Sequence, residues 1–523
     1  MIRRSRDLAA LVLAFSTVLT TPPAARSQQV GGKAAIALHP GNPHYFVWRG
    51  RPTVLITSGE HYGAVLNLDF DYRRYLDTLA ADGLNYTRVF SGAYVEPQGA
   101  FKIERNTLAP RPGRFLAPWP RSSQPGYPNG GNKFDLSRWD DSYFTRLRDF
   151  IAYAAGKNVV VELSLFCPMY EEVQWSLSPM NAANNVNGVG TVGRHEVYTL
   201  DRDRALLAAQ EALTRKLVTE LNGFDNLFFE IANEPYFGGI TMAWQHRIAD
   251  VIVETERALP AKHLIAQNIA NKSAKIADPH PAVSIFNFHY ATPPETVAMN
   301  YALNKVIGDD ETGFRGVSDD VYRMEGWDFV IAGGGLYNNL DYSFAAGYED
   351  GTFQYPSTQP GGGSRALRQQ LKILSDFING FDFIRMTPGD TIIKDGIPPG
   401  GSARALVEPG RAIAIYIRKQ RPASGKEPSV SIPAAGAATT LQVDLADGEW
   451  RVEWVDTMTG SVVRTDSVRG GGVRAIPSPE YAADIALRLW RPAFALRASA
   501  RQAQSGVASA FRRKIPTPTT PDP

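Results

Sequence analysis

Short apolar runs alternate with longer amphipathic stretches along the chain from residue 53 to about residue 390. The short runs are rich in β-branched and aromatic residues, as strands are, and the longer stretches have the periodicity of helices. Strands are predicted at 53–58, 84–90, 159–166, 227–232, 263–269, 284–289, 305–310 and 333–337. Helices are predicted between them, including 141–155, 202–221, 242–259, 319–330 and 365–378. This α/β pattern predicts a (β/α)₈ TIM barrel.

The connections that lead from a predicted strand to the next helix include long ones, whereas those that lead from a helix to the next strand are short. The segments 96–135, 168–199 and 338–364 come after strands two, three and eight, whereas the helix-to-strand turns, such as 82–83 and 156–158, are short. Active sites of such barrels lie at the carboxyl ends of the strands. The loop lengths therefore predict a functional site at that face, with a partly closed pocket.

Beyond residue 390 the helical pattern stops and strand-like runs follow. They cover 403–418, 440–445, 449–456, 461–464 and 484–489 and are separated by Gly and Pro. We therefore predict a barrel over 28–390 and a small all-β sandwich domain over 391–492. Residues 493–523 have no coherent apolar stripe and are predicted to be a disordered tail.

The N-terminal residues have the layout of a secretory signal. Arg3, Arg4 and Arg6 precede an apolar stretch at 8–19 and small residues at 24–27. We expect residues 1–27 to be cleaved and the protein to be secreted or periplasmic. No segment is long and apolar enough to predict a membrane span.

Composition narrows the class of partner. Lys and Arg total 55 against 53 Asp and Glu, a net charge of +2, which gives no electrostatic footprint for nucleic acid. The single cysteine, Cys167, follows an apolar run and is expected to be a buried, unreactive thiol. His195, His246 and His263 lack metal-ligand spacing, so neither a metal nor another cofactor is expected. The oligomeric state stays open.

Two acids are predicted to meet at the barrel mouth. Strand four is apolar and ends at Glu234 before Pro235, and strand seven ends in acids that include Glu311. Strands four and seven lie roughly opposite each other, so two carboxylates face one cleft. Cleavage of a glycosidic bond needs such a pair, one to protonate the leaving oxygen and one to attack or to activate water. The alternative is that these acids cap helices or pair with Arg.

The run 231–235, Ile-Ala-Asn-Glu-Pro, together with a Glu ending strand seven, resembles the clan A, cellulase-like glycoside hydrolases over the whole barrel. The resemblance implies that Glu234 is the acid/base, that Glu311 is the nucleophile and that Asn233 binds the sugar 2-hydroxyl. It also implies that Arg88 keeps Glu311 ionised, and that cleavage retains the anomeric configuration. Glu234 is accordingly expected to start protonated, with a raised pKa.

The same resemblance implies a His and a Tyr after strand six, where this chain has His289 and Tyr290. Relatives commonly have one residue between the two, whereas here they are adjacent, so one of them is expected to face away. Strand alternation also leaves Asp309 as a rival to Glu311, and it places Asn233 and Glu234 on opposite sides unless the strand curls at Pro235. We expect that curl.

Further residues at strand ends and in loops are candidates for sugar binding, with packing around the mouth as the alternative; they are Glu60, His61, Tyr62, Asn287, Tyr337 and Trp175. Glu162 and Glu230 lie within strands and are expected to pair with charge inside the barrel, for example with Arg88.

The segment 447–460 resembles a small β-domain found behind related glycosidases, sometimes labelled collagen-binding, and a structural role is the alternative to ligand binding. The predicted activity is retaining hydrolysis of an oligo- or polysaccharide. A non-catalytic carbohydrate-binding protein and a transglycosylase that uses the same cleft are the alternatives, and the sugar and linkage stay open.

Overall fold

An eight-stranded parallel sheet, rolled into a nearly closed barrel, forms the centre of the chain; the computed structural model describes residues 34–419 and 436–491. Strands 1 to 8 are Leu55–Gly59, Tyr86–Phe90, Val160–Phe166, Leu227–Ala232, Ile265–Asn271, Val283–His289, Val306–Thr312 and Leu336–Leu340. They are hydrogen-bonded in the order 1-8-7-6-5-4-3-2. Each overlaps a predicted strand, and the barrel prediction is confirmed.

Helices surround the sheet. In chain order they are α1 Tyr72–Ala81, α2 Asp141–Gly156, α3 Glu172–Leu177, α4 Arg204–Leu221, α5 Met242–Glu256, α6 Glu295–Asn300, α7 Asp319–Ile331 and α8 Arg365–Asn379. Short 3₁₀ turns lie at Ala100–Lys102, Arg194–Glu196, Tyr301–Leu303, Phe383–Arg385 and Asp390–Ile392. The side chains of Asp71, Asp140 and Asp203 accept hydrogen bonds from the first-turn N–H groups of α1, α2 and α4, which explains where these helices begin.

The seam between strands 1 and 2 is bridged by a side chain. Asn85 accepts a hydrogen bond from the N–H of Ile56 at 2.9 Å and donates one to the carbonyl of Val54 at 2.8 Å. The amide thus reproduces the donor and acceptor of a strand at the one place where the ring of strands would otherwise stay open.

A small N-terminal sheet closes the bottom of the barrel. Its strands are Ala37–His39, Asn42–Trp48 and Arg51–Thr53. Phe46 and Trp48 of this sheet, with Ile36 just before it, form one buried cluster with residues near the start of the barrel strands. Each barrel strand contributes one residue to this cluster; in strand order they are Leu55, Tyr86, Val160, Phe228, Ala266, Ile285, Val306 and Leu336. The predicted start of strand 1 at residue 53 is therefore wrong, because Thr53 belongs to this plug.

The C-terminal region is built from antiparallel sheets. One sheet contains Thr387–Pro388, Ser402–Glu408, Ala412–Arg418, Glu449–Val455, Val462–Arg469 and Asp484–Trp490, and the other contains Ile393–Asp395, Thr440–Leu445 and Gly472–Pro477. Both sheets contribute to one buried core that includes Trp450 and Trp454. The all-β region is confirmed, although the predicted run 403–418 is two strands that turn at Gly410.

Helix α7 lies between the barrel and the C-terminal sheets. All but its first two residues are buried, which explains why it lacks a clear polar face. Arg323 pairs with Asp484 at 2.7 Å, and Asp328 pairs with Arg418 at 2.7 Å. These ion pairs join the two regions in the interior.

Several predictions concern segments that the structure does not describe. The expected signal at 1–27 and the expected tail at 493–523 both lie entirely outside the described residues, and the domain boundary at 390 stays a prediction. Within 34–419 and 436–491, no helix has both the length and the apolar character that a membrane crossing requires.

Candidate active site

The end of strand 4 carries Asn233 and Glu234 into the mouth of the barrel. The strand ends at Ala232, and Glu234 adopts a left-handed conformation with φ of 34°. This conformation turns the chain, so that both side chains reach the interior although strand alternation alone would separate them. The curl expected at Pro235 is present. A non-glycine residue at positive φ is costly, so the surrounding contacts must hold it there.

Three side chains donate hydrogen bonds to the Glu234 carboxylate. Tyr170 Oη lies 2.5 Å from Oε2, while His289 Nδ1 and Tyr236 Oη lie 3.0 and 3.3 Å from Oε1. Asn233 donates to the same Tyr170 hydroxyl at 2.9 Å. Glu234 is 7% exposed, so these partners, rather than water, set its position.

Strand 7 contains a register irregularity that turns two successive acids inward. His289 of strand 6 pairs with Glu311, and the register skips a residue just before this pair. Such a bulge breaks the usual alternation of side chains. Asp310 and Glu311 both reach polar partners inside the barrel, whereas Asp309 lies beside Tyr337 of strand 8.

Glu311 is held by three donors. Tyr290 Oη donates to Oε1 at 2.7 Å, and Tyr62 Oη and Arg88 Nη1 each lie 3.3 Å from Oε2. One oxygen of Glu311, one oxygen of Glu234 and a ring nitrogen of His289 lie within 4.8 Å of one another. The two predicted carboxylates therefore face each other across one small polar space.

His289 and Tyr290 both face this space. His289 Nδ1 lies 3.0 Å from Glu234 and 3.6 Å from Glu311, and Nε2 lies 3.3 Å from Asp310. Tyr290 reaches Glu311 because its backbone is left-handed, with φ of 53°. The expectation that one of the two adjacent residues faces away is therefore wrong.

The charge of His289 decides the protonation of the pair in the free protein. Burial alone lowers the pKa of this imidazole, but the carboxylates of Glu311, Asp310 and Glu234 together raise it well above its usual value. Burial favours a raised pKa of Glu234, yet the hydrogen bond and charge of His289 bring it below the ordinary value. Burial raises the pKa of Glu311, and the charge of Glu234 adds to that rise.

These directions are the reverse of the expected resting states, in which Glu234 starts protonated and Glu311 stays ionised. For Glu234 the reason is the adjacent His289, whose hydrogen bond and charge outweigh burial, whereas for Glu311 burial and the charge of Glu234 outweigh the opposing charge of His289. The expectation of a raised pKa for Glu234 is therefore wrong for the free protein.

Arg88 lies beneath the two carboxylates and is completely buried. Its Nη2 donates to Glu230 and, at 2.8 Å, to the side-chain Oδ1 of Asn233, while Nε lies 3.3 Å from Asp310. Together with the contact to Glu311, these bonds make Arg88 the shared cation of three acids. The expected pairing of Glu230 with Arg88 is present.

Glu162 and Asn287 lie at the same depth. Glu162 accepts hydrogen bonds from Tyr86 and, at 2.8 Å, from Asn287, which also donates to Asp310 at 3.1 Å. Burial, and then the charges of Glu230 and Asp310, raise the pKa of Glu162 well above its usual value. Asn287 thus supports the acids from below, and its contact with a sugar stays a prediction.

Glu60 and His61, at the end of strand 1, hold loops together. Glu60 accepts hydrogen bonds from the N–H groups of Gly63 and Ala64 at 3.1 and 3.2 Å and from the hydroxyl of Thr107, and burial raises its pKa to about 7. Burial lowers the pKa of His61 to about 3, so the ring is neutral. These contacts fit the packing alternative, and sugar binding by either residue stays a prediction.

Tyr337 and Trp175 lie away from the carboxylates. The Tyr337 hydroxyl donates to the carbonyl of Tyr322 in α7 at 2.7 Å, and its strand neighbour Asn338 reaches the interior instead. Trp175 is buried in α3 and donates to the carbonyl of Val192 at 2.9 Å. Tyr337 thus supports helix α7 and Trp175 supports the loop after strand 3, and sugar binding by either residue stays a prediction.

Three tyrosines complete the site. Tyr62 was predicted together with Glu60 and His61 as a candidate for sugar binding, whereas Tyr170 and Tyr236 were not predicted. Tyr236 lies two residues beyond Glu234, so its position carried a signal in the sequence. Tyr170 lies in the long loop after strand 3, where nothing in the sequence separates it from other aromatic residues. Their hydroxyls supply three of the hydrogen bonds to the facing carboxylates.

Two groups within the described residues have the spacing of metal ligands. One is Glu234, His289 and Glu311, and the other is Glu162, Glu230 and Asp310. The Arg88 guanidinium already supplies the positive charge of the second group. In the first group, the His289 nitrogen that lies nearest both acids donates its proton to Glu234. Hydrogen bonds and ion pairs thus account for both groups.

The chain resembles known proteins in fold and not in sequence. No protein-family model and no curated protein sequence matches the chain. A solved structure described as a glycoside hydrolase aligns with a TM-score of 0.58 and 14% identity, covering 88% of this chain and 97% of that chain. A glycoside hydrolase family 5 structure from Bacteroides vulgatus gives a TM-score of 0.57 and 14% identity, covering 88% and 94%. The chain has the fold of these glycoside hydrolases, a (β/α)₈ barrel followed by a sheet-rich C-terminal region.

Proposed function

We propose that the protein is an exported, retaining glycoside hydrolase that cleaves O-glycosidic bonds of an oligo- or polysaccharide. The observation that carries this proposal is the facing of Glu234 and Glu311, with carboxylate oxygens within 4.8 Å. Retaining enzymes hold their two carboxyl groups about 5–5.5 Å apart, whereas inverting enzymes leave about 6.5–9.5 Å for a water molecule. The short separation favours double displacement.

Glu311 is suited to be the nucleophile. Hydrogen bonds from Tyr290, Tyr62 and Arg88 stabilise its anion and orient it towards Glu234. In the first step one of its oxygens attacks the anomeric carbon, the bond to the leaving oxygen breaks, and Glu234 protonates that oxygen. In the second step Glu234 takes a proton from water, which displaces Glu311 and restores both carboxyl groups.

His289 is suited to supply the proton that Glu234 needs. Its Nδ1–H is directed at Glu234 over 3.0 Å, so transfer of that proton converts an ion pair into a neutral imidazole and a carboxylic acid. A bound sugar excludes water from the space, and separated charges are less stable in a drier site than neutral partners. Substrate binding therefore promotes the transfer, which reconciles the lowered pKa of Glu234 in the free protein with its role as acid.

Activity should appear on sugars and depend on Glu234. Wild type is expected to hydrolyse at least one 4-nitrophenyl glycoside or polysaccharide in a broad panel, and Glu234→Gln is expected to lower turnover of the polysaccharide by about 10²–10⁴-fold, the contribution of a general acid. Release of reducing sugar measures both. Glu172→Gln, at an exposed position in the loop after strand 3, is the matched control. Full activity in Glu234→Gln, or an inactive wild type, contradicts the proposal.

The pH profile should depend on His289. Burial and the charge of Glu234 raise the pKa of Glu311, and the neighbouring acids raise the pKa of His289 although burial opposes that rise. We therefore expect both limbs of the kcat/KM profile to lie above the ordinary values for a carboxyl group and an imidazole. His289→Asn removes the proton reserve, so the alkaline limb should move to lower pH by about one unit or more. The profile is measured on an aryl glycoside.

The control for the pH experiment is His263→Asn. His263 pairs with Glu256 near the start of strand 5, at the opposite end of the barrel. Its replacement should leave both limbs in place. An alkaline limb that does not move in His289→Asn would show that the proton comes from another group.

A further inference from the structure

The tip of the loop after strand 2 crosses the middle of the barrel mouth. The ring centre of Phe101 lies 5.2 Å from that of Tyr170, which follows strand 3, and 6.4 Å from that of Phe314, which follows strand 7. Strands 3 and 7 are four places apart in the ring of eight, in either direction. They lie opposite each other, so a side chain that contacts residues beyond both must lie over the centre.

Each of the two residues that Phe101 contacts is linked to one of the facing acids, Tyr170 to Glu234 and Phe314, through Tyr290, to Glu311. Tyr170 donates to Glu234 at 2.5 Å. On the other side, Phe314 lies 6.2 Å from Tyr290, whose hydroxyl donates to Glu311. Phe101 therefore borders the space in which the anomeric carbon must lie. Since 41% of Phe101 is exposed, part of its ring is free to meet a sugar.

The backbone of this tip is strained. Phe101 and Lys102 both adopt left-handed conformations, with φ of 54° and 62°, after Gly99 at 78°. Such conformations of non-glycine residues cost free energy and persist where the surroundings enforce them, most often at functional sites. The Phe101 ring in this conformation contacts Tyr170 and Phe314.

Contacts with the loop after strand 8 fix the tip in place. The N–H of Glu104 donates to the side chain of Gln359 at 3.3 Å. The Arg105 guanidinium lies over the rings of Tyr348 and Phe353, 5.3 and 5.5 Å from their centres. The loops after strands 2 and 8 thus form one wall.

Between this wall and the end of strand 1, packed side chains fill the mouth. His61 at the end of strand 1 packs edge-on against Tyr342 of the loop after strand 8, with ring centres 4.3 Å apart, and both are buried, as is Glu96 after strand 2. On the other side of Phe101, by contrast, Tyr236 and Phe237 after strand 4 are exposed. The open part of the mouth therefore lies on the side of strand 4.

We propose that Phe101 ends the substrate cleft, so that the enzyme acts on the terminal units of a glycan chain rather than on internal bonds. A chain that binds across the site needs room on both sides of the scissile bond, and the wall leaves room on one side only. Phe101 is then a specificity-determining residue that contacts the terminal sugar through its exposed ring face. This inference rests on the proposed glycosidase function.

The test compares product sizes. The probe is the linear hexasaccharide of the sugar whose 4-nitrophenyl glycoside the wild type hydrolyses, used free, reduced at its reducing end, or capped by an acetal at its other end. Wild type, Phe101→Ala, Phe101→Tyr and Phe237→Ala are incubated with each form. Mass spectrometry gives the chain lengths of the first products. Phe237 is the matched control, since it is exposed and contacts Tyr170 at 5.9 Å from the strand 4 side.

Wild type is expected to release products of one size and to be blocked by a cap at one end. Phe101→Ala should raise the share of internal cleavage by about tenfold or more, the scale of one apolar contact in a specificity pocket. Phe101→Tyr and Phe237→Ala should keep the wild-type pattern. Mixed products from wild type at the outset, or an unchanged pattern in Phe101→Ala, overturn the inference while leaving the glycosidase function intact. A wild type that hydrolyses no glycoside overturns the proposed function, and this inference with it.

Discussion

Replacing Glu311 with glycine is expected to lower kcat on an aryl glycoside by about 10⁵-fold, the scale seen when a covalent nucleophile is removed. Glycine leaves the donors of Tyr290, Tyr62 and Arg88 in place around an empty volume next to the anomeric carbon. Water in that volume is a poorer nucleophile than a carboxylate that is already positioned. The loss should appear in kcat more than in KM, because Glu311 bonds to the sugar only as the reaction proceeds.

Azide should restore turnover of Glu311→Gly. The anion is small enough to enter the vacated volume, where Arg88 and the two hydroxyls stabilise its charge. It should attack the anomeric carbon from the side of Glu311, so the glycosyl azide should have the configuration opposite to that of the substrate. Nuclear magnetic resonance of the product determines this configuration, and an azide product of unchanged configuration would contradict the assignment of the nucleophile.

Asp309→Gly is the matched control for the nucleophile. Strand alternation left Asp309 as a rival, but the bulge before Glu311 places Asp309 beside Tyr337 instead. Azide should therefore not stimulate Asp309→Gly. Rescue of Asp309→Gly, together with no rescue of Glu311→Gly, would exchange the two assignments.

The barrel was predictable because its signal is long-range and repeated. Strand 4, at Leu227–Ala232, was predicted with its observed bounds because an apolar run ends at a polar pair and a proline. The N-terminal sheet, with Asn42–Trp48 at its centre, was missed. Its residues Phe46 and Trp48 are buried by the barrel rather than by their own hairpin, so no local pattern identifies them as a plug.

The proposed catalytic acids could be predicted from their positions at strand ends together with the resemblance to clan A hydrolases, but their geometry could not. The alternation of side chains along a strand does not predict that Glu234 takes a φ of 34° or that the register skips before Glu311, because tertiary contacts enforce both irregularities. For the same reason, Tyr290 reaches Glu311 although it directly follows His289. These departures from regular backbone are concentrated at the site, where a fold tolerates strain for the sake of position.

The charges of the barrel interior depend on one another. Glu230, Asp310 and Glu311 share Arg88 as their buried cation, and His289 adds a second positive charge above them. The protonation of Glu234 and Glu311 is therefore a property of the whole group. Removing Arg88 should consequently affect both stability and catalysis.

Arg88→Met is expected to lower the free energy of unfolding by about 3–5 kcal/mol at pH 7, as when one partner of a buried ion pair is removed. Methionine fills part of the volume but leaves Glu230 and Asp310 without their cation. In wild type, burial raises the pKa of Glu230 to about 7 although Arg88 opposes the rise, so the variant should raise it further. Urea denaturation followed by tryptophan fluorescence measures the difference.

The stability loss of Arg88→Met should grow as pH rises from 5 to 8. A carboxyl group whose folded-state pKa lies above its unfolded value binds more protons when folded, so its contribution to stability falls with increasing pH. A double-mutant cycle with Glu230→Gln should recover part of the loss, since it removes one uncompensated acid. A deficit that is flat with pH, or a cycle without coupling, would contradict an electrostatic role.

Arg368→Met separates stability from catalysis. Arg368 is also buried and pairs with Asp82 and Asp341, away from the facing acids. Its replacement should destabilise the fold comparably but leave the acid limb of the kcat/KM profile in place. In Arg88→Met that limb should move to higher pH, because Glu311 loses the guanidinium 3.3 Å away that favours its anion. A shift in both variants would mean that loosened packing, rather than the charge of Arg88, controls the nucleophile.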